Sequence, residues 1–450
     1  MRPLMIAHLL LAASLVSAQE PKADAPLPAP AADGAAALPA PEAAAAAPAV
    51  PAEAPKAAEP AAPAAAEPAK AAPKAEEKKA EAKAPEPAKN ERLSAEQELQ
   101  FLKEKARGAD SDLQKAVAVD LELFADAHAQ ADYAPEALAE LARLQQRLND
   151  SSALVTWLRI VYEFPSATQA KAARASFLEG AGAKLPKRLK DSVEALAKGA
   201  ESSDAADRLA TLVERLAGPA GDSLYGPALT LAARVDRRFP DYAGGDRVAL
   251  SRGRLLERPQ DWPAALLQYQ RLLALYPASP LRPQALWAQG SVLADHVKDY
   301  RAAAAVFLEL ADKHQDSAQA TPALERAGQL LADKLKQYEP AVEAYRKLVQ
   351  RYPGTEAARR SLQEEAKLER GRLGNPAQAA KTLESLAEMF PKHPEAPEAL
   401  YEAAQIFEDD LKDEKKAVAE YKQVAEKFPG HKLGKKAGDR AAKLSAAEAK

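Results

Sequence analysis

Residues 341–353 read AVEAYRKLVQRYP and residues 417–429 read AVAEYKQVAEKFP. Each has an alanine, an aromatic four residues later and a proline eight beyond that. The same frame fits ALLQYQRLLALYP at 265–277, AAKTLESLAEMFP at 379–391, where Leu383 stands in place of the aromatic, and AAAVFLELADKHQ at 303–315, where Gln315 stands in place of the proline. The prolines at 353, 391 and 429 are 38 residues apart, and 277 to 353 is twice that interval. A fixed period of this length is the signature of a repeat architecture.

Further columns keep the period. Ala265, Ala303, Ala341, Ala379 and Ala417 form one, and Tyr269, Phe307, Tyr345, Leu383 and Tyr421 another. On the preceding segment Leu286, Leu324, Leu362 and Leu400 recur, each followed four residues later by Gly290, Gly328, Ala366 or Ala404. The spacings predict pairs of helices: small residues let two helices approach, the aromatic fills the gap beside them, and the proline stops the second helix. A hairpin of this kind has one apolar face left over, which the next hairpin buries.

The order of large apolar, small, alanine, aromatic and proline resembles the tetratricopeptide repeat, with leucine replacing the consensus tryptophan. Ala265-x3-Tyr269, Ala341-x3-Tyr345 and Ala417-x3-Tyr421 carry the likeness, with Pro277, Pro353 and Pro429 and the glycines at 290 and 328. The longer unit, with residues added mainly after the proline, resembles repeats of bacterial periplasmic envelope proteins. Examples are the accessory protein of the Tol–Pal system and the repeat lipoprotein of the outer-membrane assembly machine. The resemblance implies an all-α, right-handed superhelical solenoid that binds proteins or peptides.

The clearest repeats cover 241–446. Weaker copies, at Phe239-Pro240, Phe164-Pro165 and ADYAPEAL (131–138), extend a degenerate, irregular helical region back to 91, so one continuous solenoid is expected. Residues 19–90 are nearly all Ala, Pro, Glu and Lys, with Leu27, Leu38 and Val50 the only large aliphatics. Such a segment cannot bury enough apolar surface to offset backbone entropy and is expected to be a disordered spacer. Residues 1–18, MRPLMIAHLLLAASLVSA, have a positive start, a short apolar run and the small-residue end Val16-Ser17-Ala18. They read as a signal peptide, which places the mature chain in the periplasm.

Composition narrows the chemistry. The chain has no cysteine, so disulfides, thiolate chemistry and a lipid-bearing cysteine are ruled out. A net charge of −3 without a separate basic run gives no nucleic-acid footprint. The six histidines are scattered; His296 and His314 could meet across a hairpin but lack a third ligand. Glu364-Glu365 and Asp409-Asp410 read as solvated charges, since neighbours on a helix diverge. Gly180-Ala181-Gly182 and Gly244-Gly245 read as turns. No catalytic constellation, metal site or cofactor is expected, and the chain reads as a non-catalytic scaffold.

Trp262, beside Asp261 and Pro263, reads as a packing cap at a helix start. Trp287 follows the core-facing Leu286, and its counterparts are Glu325, Gln363 and Tyr401; four residues on come Ser291, Gln329, Lys367 and Gln405. If one face binds a partner, the candidates are Trp287, Gln329, Lys367, Tyr401 and Gln405. The alternative is that Trp287 and Tyr401 pack between repeats. The leading expectation is a scaffold for a partner in the cell-envelope machinery. The other is a cell-wall-associated spacer whose Ala/Pro-rich segment contacts peptidoglycan.

Overall fold

The computed structural model describes residues 93–108, 110–184 and 189–448; the signal-peptide and spacer expectations lie outside them. Every regular element among the described residues is helical. The first eight helices are α1 (Ala95–Ala106), α2 (Ser111–Ala127), α3 (Ala134–Arg147), α4 (Ser152–Glu163), α5 (Thr168–Lys184), α6 (Lys190–Lys198), α7 (Ala205–Leu216) and α8 (Tyr225–Arg238). Five hairpins follow: α9–α10 (Gly245–Leu256, Trp262–Leu275), α11–α12 (Arg282–Val292, Tyr300–Lys313), α13–α14 (Ala320–Gln329, Tyr338–Arg351), α15–α16 (Glu356–Gly371, Pro376–Met389) and α17–α18 (Ala396–Gln405, Glu414–Lys427). The last helix, α19 (Lys432–Glu448), packs on α18.

The columns read from sequence lie at common depths. All five alanines, 265, 303, 341, 379 and 417, are fully buried, and the aromatic column is between 0% and 5% exposed. The leucines at 286, 324, 362 and 400 are also buried. The small residue and the aromatic meet inside each hairpin. A Cβ on Gly290 would lie 2.7 Å from Phe307 Cε1, and one on Gly328 2.5 Å from Tyr345 Cε1. Gly253 faces Tyr269 in the same way. Where Ala366 replaces the glycine, its partner is the slimmer Leu383.

Two further columns escaped the sequence reading. Gln260, Lys298, Lys336, Gly374 and Lys412, each 38 apart, are left-handed, with φ of 62°, 64°, 56°, 66° and 55°. Each reverses the chain between the helices of a hairpin. The next residues are Asp261, Asp299, Gln337, Asn375 and Asp413, the N-caps of the second helices. The three aspartates accept hydrogen bonds from Ala264, Ala302 and Lys416 N–H, satisfying donors that open a helix. A π turn also ends three first helices, at Leu293–Val297, Leu330–Lys334 and Ile406–Asp410.

The region before Arg238 is built differently. Residues 153–163 of α4 are buried all round, because α4 packs against α3, α5, α6, α7 and α8. A helix enclosed in this way has no solvent face, in contrast to the open hairpin stack that follows. Its two charged residues, Arg159 and Glu163, are 2% and 6% exposed. Arg159 Nε donates to Glu163 Oε1 at 2.7 Å and Nη2 to Asp126 Oδ1 at 2.9 Å. From α8, Arg234 pairs with Glu122 and Asp126, and Arg238 with Glu163. Three guanidinium groups and three carboxylates thus tie α2, α4 and α8. Burial alone would raise the Glu163 carboxyl, but Arg159 and Arg238 hold it below the usual range. The Gly180-Ala181-Gly182 stretch, read as a turn, lies inside α5; nearby helix formers such as Leu178 and Ala181 outweigh two glycines.

Candidate partner-binding face

The first helices of the hairpins share a solvent-facing side, and charged residues link successive units across it. Arg360 donates to both carboxylate oxygens of Glu325, at 2.7 and 3.0 Å. Arg326 pairs with Asp295, and Arg370 with Asp410 at 2.7 Å. Gln363 Nε2 donates to Glu395 Oε2 at 2.7 Å, and Arg359 also binds that carboxylate. Each bond joins residues 31 to 40 positions apart. They connect one repeat to the next and fix the spacing along this face.

The candidate residues fall into two groups. Trp287 is half-buried and lies 5.2 Å from the Phe307 ring. Tyr401 is 7% exposed, 5.3 Å from the Tyr421 ring, with Lys436 of α19 5.1 Å above it. Both aromatics pack within their own hairpin. Gln329 and Gln405 are half-buried, and Lys367 is exposed, bonded to Glu364 at 2.8 Å. Lys367 lines a cleft of about 110 Å³ between α15 and α17, together with Gln363, Ala366, Glu395, Glu398 and Glu402. A water occupies about 30 Å³, so the cleft accommodates the end of one side chain. Its lining has one positive and three negative charges. The three glutamates are at i, i+3 and i+7 of one helix face, a spacing visible in sequence but not singled out.

On the opposite side, Glu365 corrects an expectation. Read as solvated, it is 3% exposed, and Glu369 is 1% exposed. The equivalent positions one unit away are Ala327 and Leu331, or Ala403 and Phe407, all buried. Arg346 donates to Glu365 Oε1 at 2.6 Å and also binds Glu369, while Thr382 Oγ1 donates to Glu369 Oε2 at 2.9 Å. These partners allow two carboxyl groups to replace apolar core residues. Burial, with Glu369 adding to it against the opposing pull of Arg346, raises the Glu365 carboxyl to about 7.

Among the described residues the histidines do not converge on a metal. His296 stacks on Trp262 with ring centres 3.7 Å apart and planes 9° from parallel. Trp262 opens α10 and packs against the core, as expected, while Asp261 makes the cap hydrogen bond. His314 ends α12, its Nε2 buried without a partner, and burial, with Arg282 nearby, lowers its pKa. Among the described residues no three His, Cys, Asp or Glu side chains group as metal ligands, and no helix is long and apolar enough to cross a membrane.

Stacked hairpins with a shared solvent face define a helical-repeat protein. Residues 250–320, 323–355 and 368–432 match tetratricopeptide repeat models. Among solved structures, MamA is 17% identical over 41% of this chain and 94% of its own, with a TM-score of 0.32. YrrB, described as a tetratricopeptide repeat protein with an unusual peptide-binding site, is 18% identical over 45% and 96%, with a TM-score of 0.29. PilF of Pseudomonas aeruginosa is 14% identical over 53% and 100%, with a TM-score of 0.31. No curated protein matches.

Proposed function

We propose that this protein is an exported, non-catalytic scaffold that holds a protein or peptide partner of the cell envelope against the first-helix face of its repeats. The observation that carries the reading is the acidic cleft between α15 and α17. Glu395, Glu398 and Glu402 line it beside Lys367; Arg359 and Arg370 already pair with Glu395 and Glu402, which leaves the exposed Glu398 as its open carboxylate. A lysine or arginine side chain of the partner enters this cleft, while Gln329 and Gln405 offer hydrogen bonds on either side along the face. Opposed charges steer such an encounter and fix its register. Export rests on the N-terminal sequence, in which Arg2, the apolar run to Val16 and Val16-Ser17-Ala18 follow the pattern of a secretory signal.

A photo-reactive residue at position 398 tests the site in cells. It is expected to capture an envelope partner that the same group at Lys422, on the exposed side of α18, does not. Equal capture from both positions counts against the assigned face. Mass spectrometry of the purified protein should find Gln19 at its N-terminus, and an intact Met1 in the cytoplasm would overturn export.

A further inference from the structure

Of the eleven large apolar side chains left exposed among the described residues, five lie in the first hairpin or just before it. Leu93 is 58% exposed, Phe101 49%, Leu113 44%, Val119 56% and Leu123 62%. Leu93, Phe101 and Leu123 border a shallow depression of about 680 Å³ floored by Leu102 and Phe124, with Glu98 and Asp120 also lining it. The opposite end of the array is finished differently. There α19 presents Lys432, Lys435, Lys436, Asp439 and Arg440 to solvent. A helical stack needs a polar outer face on each terminal unit, and at the α1–α2 end these five apolar side chains interrupt that face.

Charge indicates what covers it. Glu98, Phe101 and Lys105 occupy i, i+3 and i+7 of α1, one stripe of the helix, and Lys105 Nζ lies 5.3 Å from the centre of the Phe101 ring. The first half of the helix carries Glu96 and Glu98, the last turn Lys103 and Lys105. When two such helices cross antiparallel at Phe101, Glu98 of each copy faces Lys105 of the other. The stripe is therefore complementary to itself, as a two-fold contact requires. The chain's own residues 19–90 fit the depression less well, since Leu27, Leu38 and Val50 are their only large aliphatics.

We propose that α1 and α2 form an isologous interface between two copies of this chain, with the two-fold axis beside Phe101. The interface joins apolar side chains at its centre to two Glu98–Lys105 pairs at its rim. It lies at the opposite end of the array from the acidic cleft, so a dimer presents two partner-binding faces.

Sedimentation equilibrium of the full chain tests the contact. The wild type is expected to dimerise reversibly. Phe101→Glu should be monomeric with an unchanged helical circular dichroism spectrum. Glu98→Lys and Lys105→Glu should each weaken the dimer by about tenfold or more, because each turns two attractive pairs into two repulsive ones. Mixing these two variants should restore dimers, since the lysine introduced in one copy then faces the glutamate introduced in the other; this arm stands even if Phe101→Glu fails to fold. A wild-type chain that stays monomeric at every concentration overturns the proposal. So does a dimer that survives all three substitutions, or a charge-variant mixture no tighter than its components.

Discussion

At position 328 there is no room for a side chain, because the Tyr345 ring already occupies it. Gly328→Val is expected to destabilise the array by roughly 1–3 kcal/mol through overpacking, measured by chemical denaturation. The reciprocal truncation, Phe307→Ala, should cost about 3–5 kcal/mol by leaving a cavity against Gly290. Glu365 makes a prediction of opposite character. Its folded pKa, about 7, lies above the ordinary carboxylate value, so the folded state holds its proton more tightly than the unfolded chain. Stability from that proton is complete below the ordinary value and is lost as pH rises through 7. Glu365→Gln should therefore flatten the fall in unfolding free energy between pH 5 and pH 8, the gap between variant and wild type shifting by up to about 3 kcal/mol. A parallel pH profile in both proteins would contradict the assignment. The burial of the Glu365 and Glu369 pair could not be seen in sequence, because Arg346 reaches both from α14 and Thr382 reaches Glu369 from α16.

Each second helix opens on a left-handed residue followed by a cap, and the cap's contribution is local. Asp299→Ala should cost about 1 kcal/mol, whereas a substitution at Gln337, which makes no side-chain cap bond, should change stability little. The enclosed helix α4 depends on a different device. Its ion-pair network adds little net stability over a well-packed apolar equivalent, yet removing one partner strands the others. Arg159→Ala should lower stability by roughly 3–5 kcal/mol, read as a drop in the thermal midpoint; a change below about 1 kcal/mol would mean that Asp126 and Glu163 find other partners. The hairpin order from α9 onward was legible because alanines, large apolar residues and prolines recur at one period, whereas the caps were missed. The network was not legible, since Glu122 and Arg234 are 112 residues apart.

Along the whole array, the repeat should behave as a unit that can be removed. Deleting residues 299–336 joins the left-handed Lys298 to Gln337, so the cap Asp299 gives way to its equivalent 38 positions on. The shortened chain is expected to keep its helical signal per residue and a cooperative transition, because each unit contacts chiefly its neighbours. Deleting half that length should abolish cooperative unfolding, since it places a second helix where a first helix must pack.

The sequence by itself determined that these residues form helix hairpins stacked at a 38-residue period, because burial of one stripe per helix imprints its spacing on the chain. It also supplied the alanine, leucine and aromatic columns that make the core. Only the tertiary structure decided which surface residues share a site. The cleft around Lys367 draws on two hairpins, and the burial of Tyr401 depends on Tyr421 and Lys436. The closure of α2, α4 and α8 around Arg159 was likewise decided in three dimensions. Periodicity records which face of a helix is buried, but contacts between distant helices depend on how the units turn against one another, which no local spacing encodes.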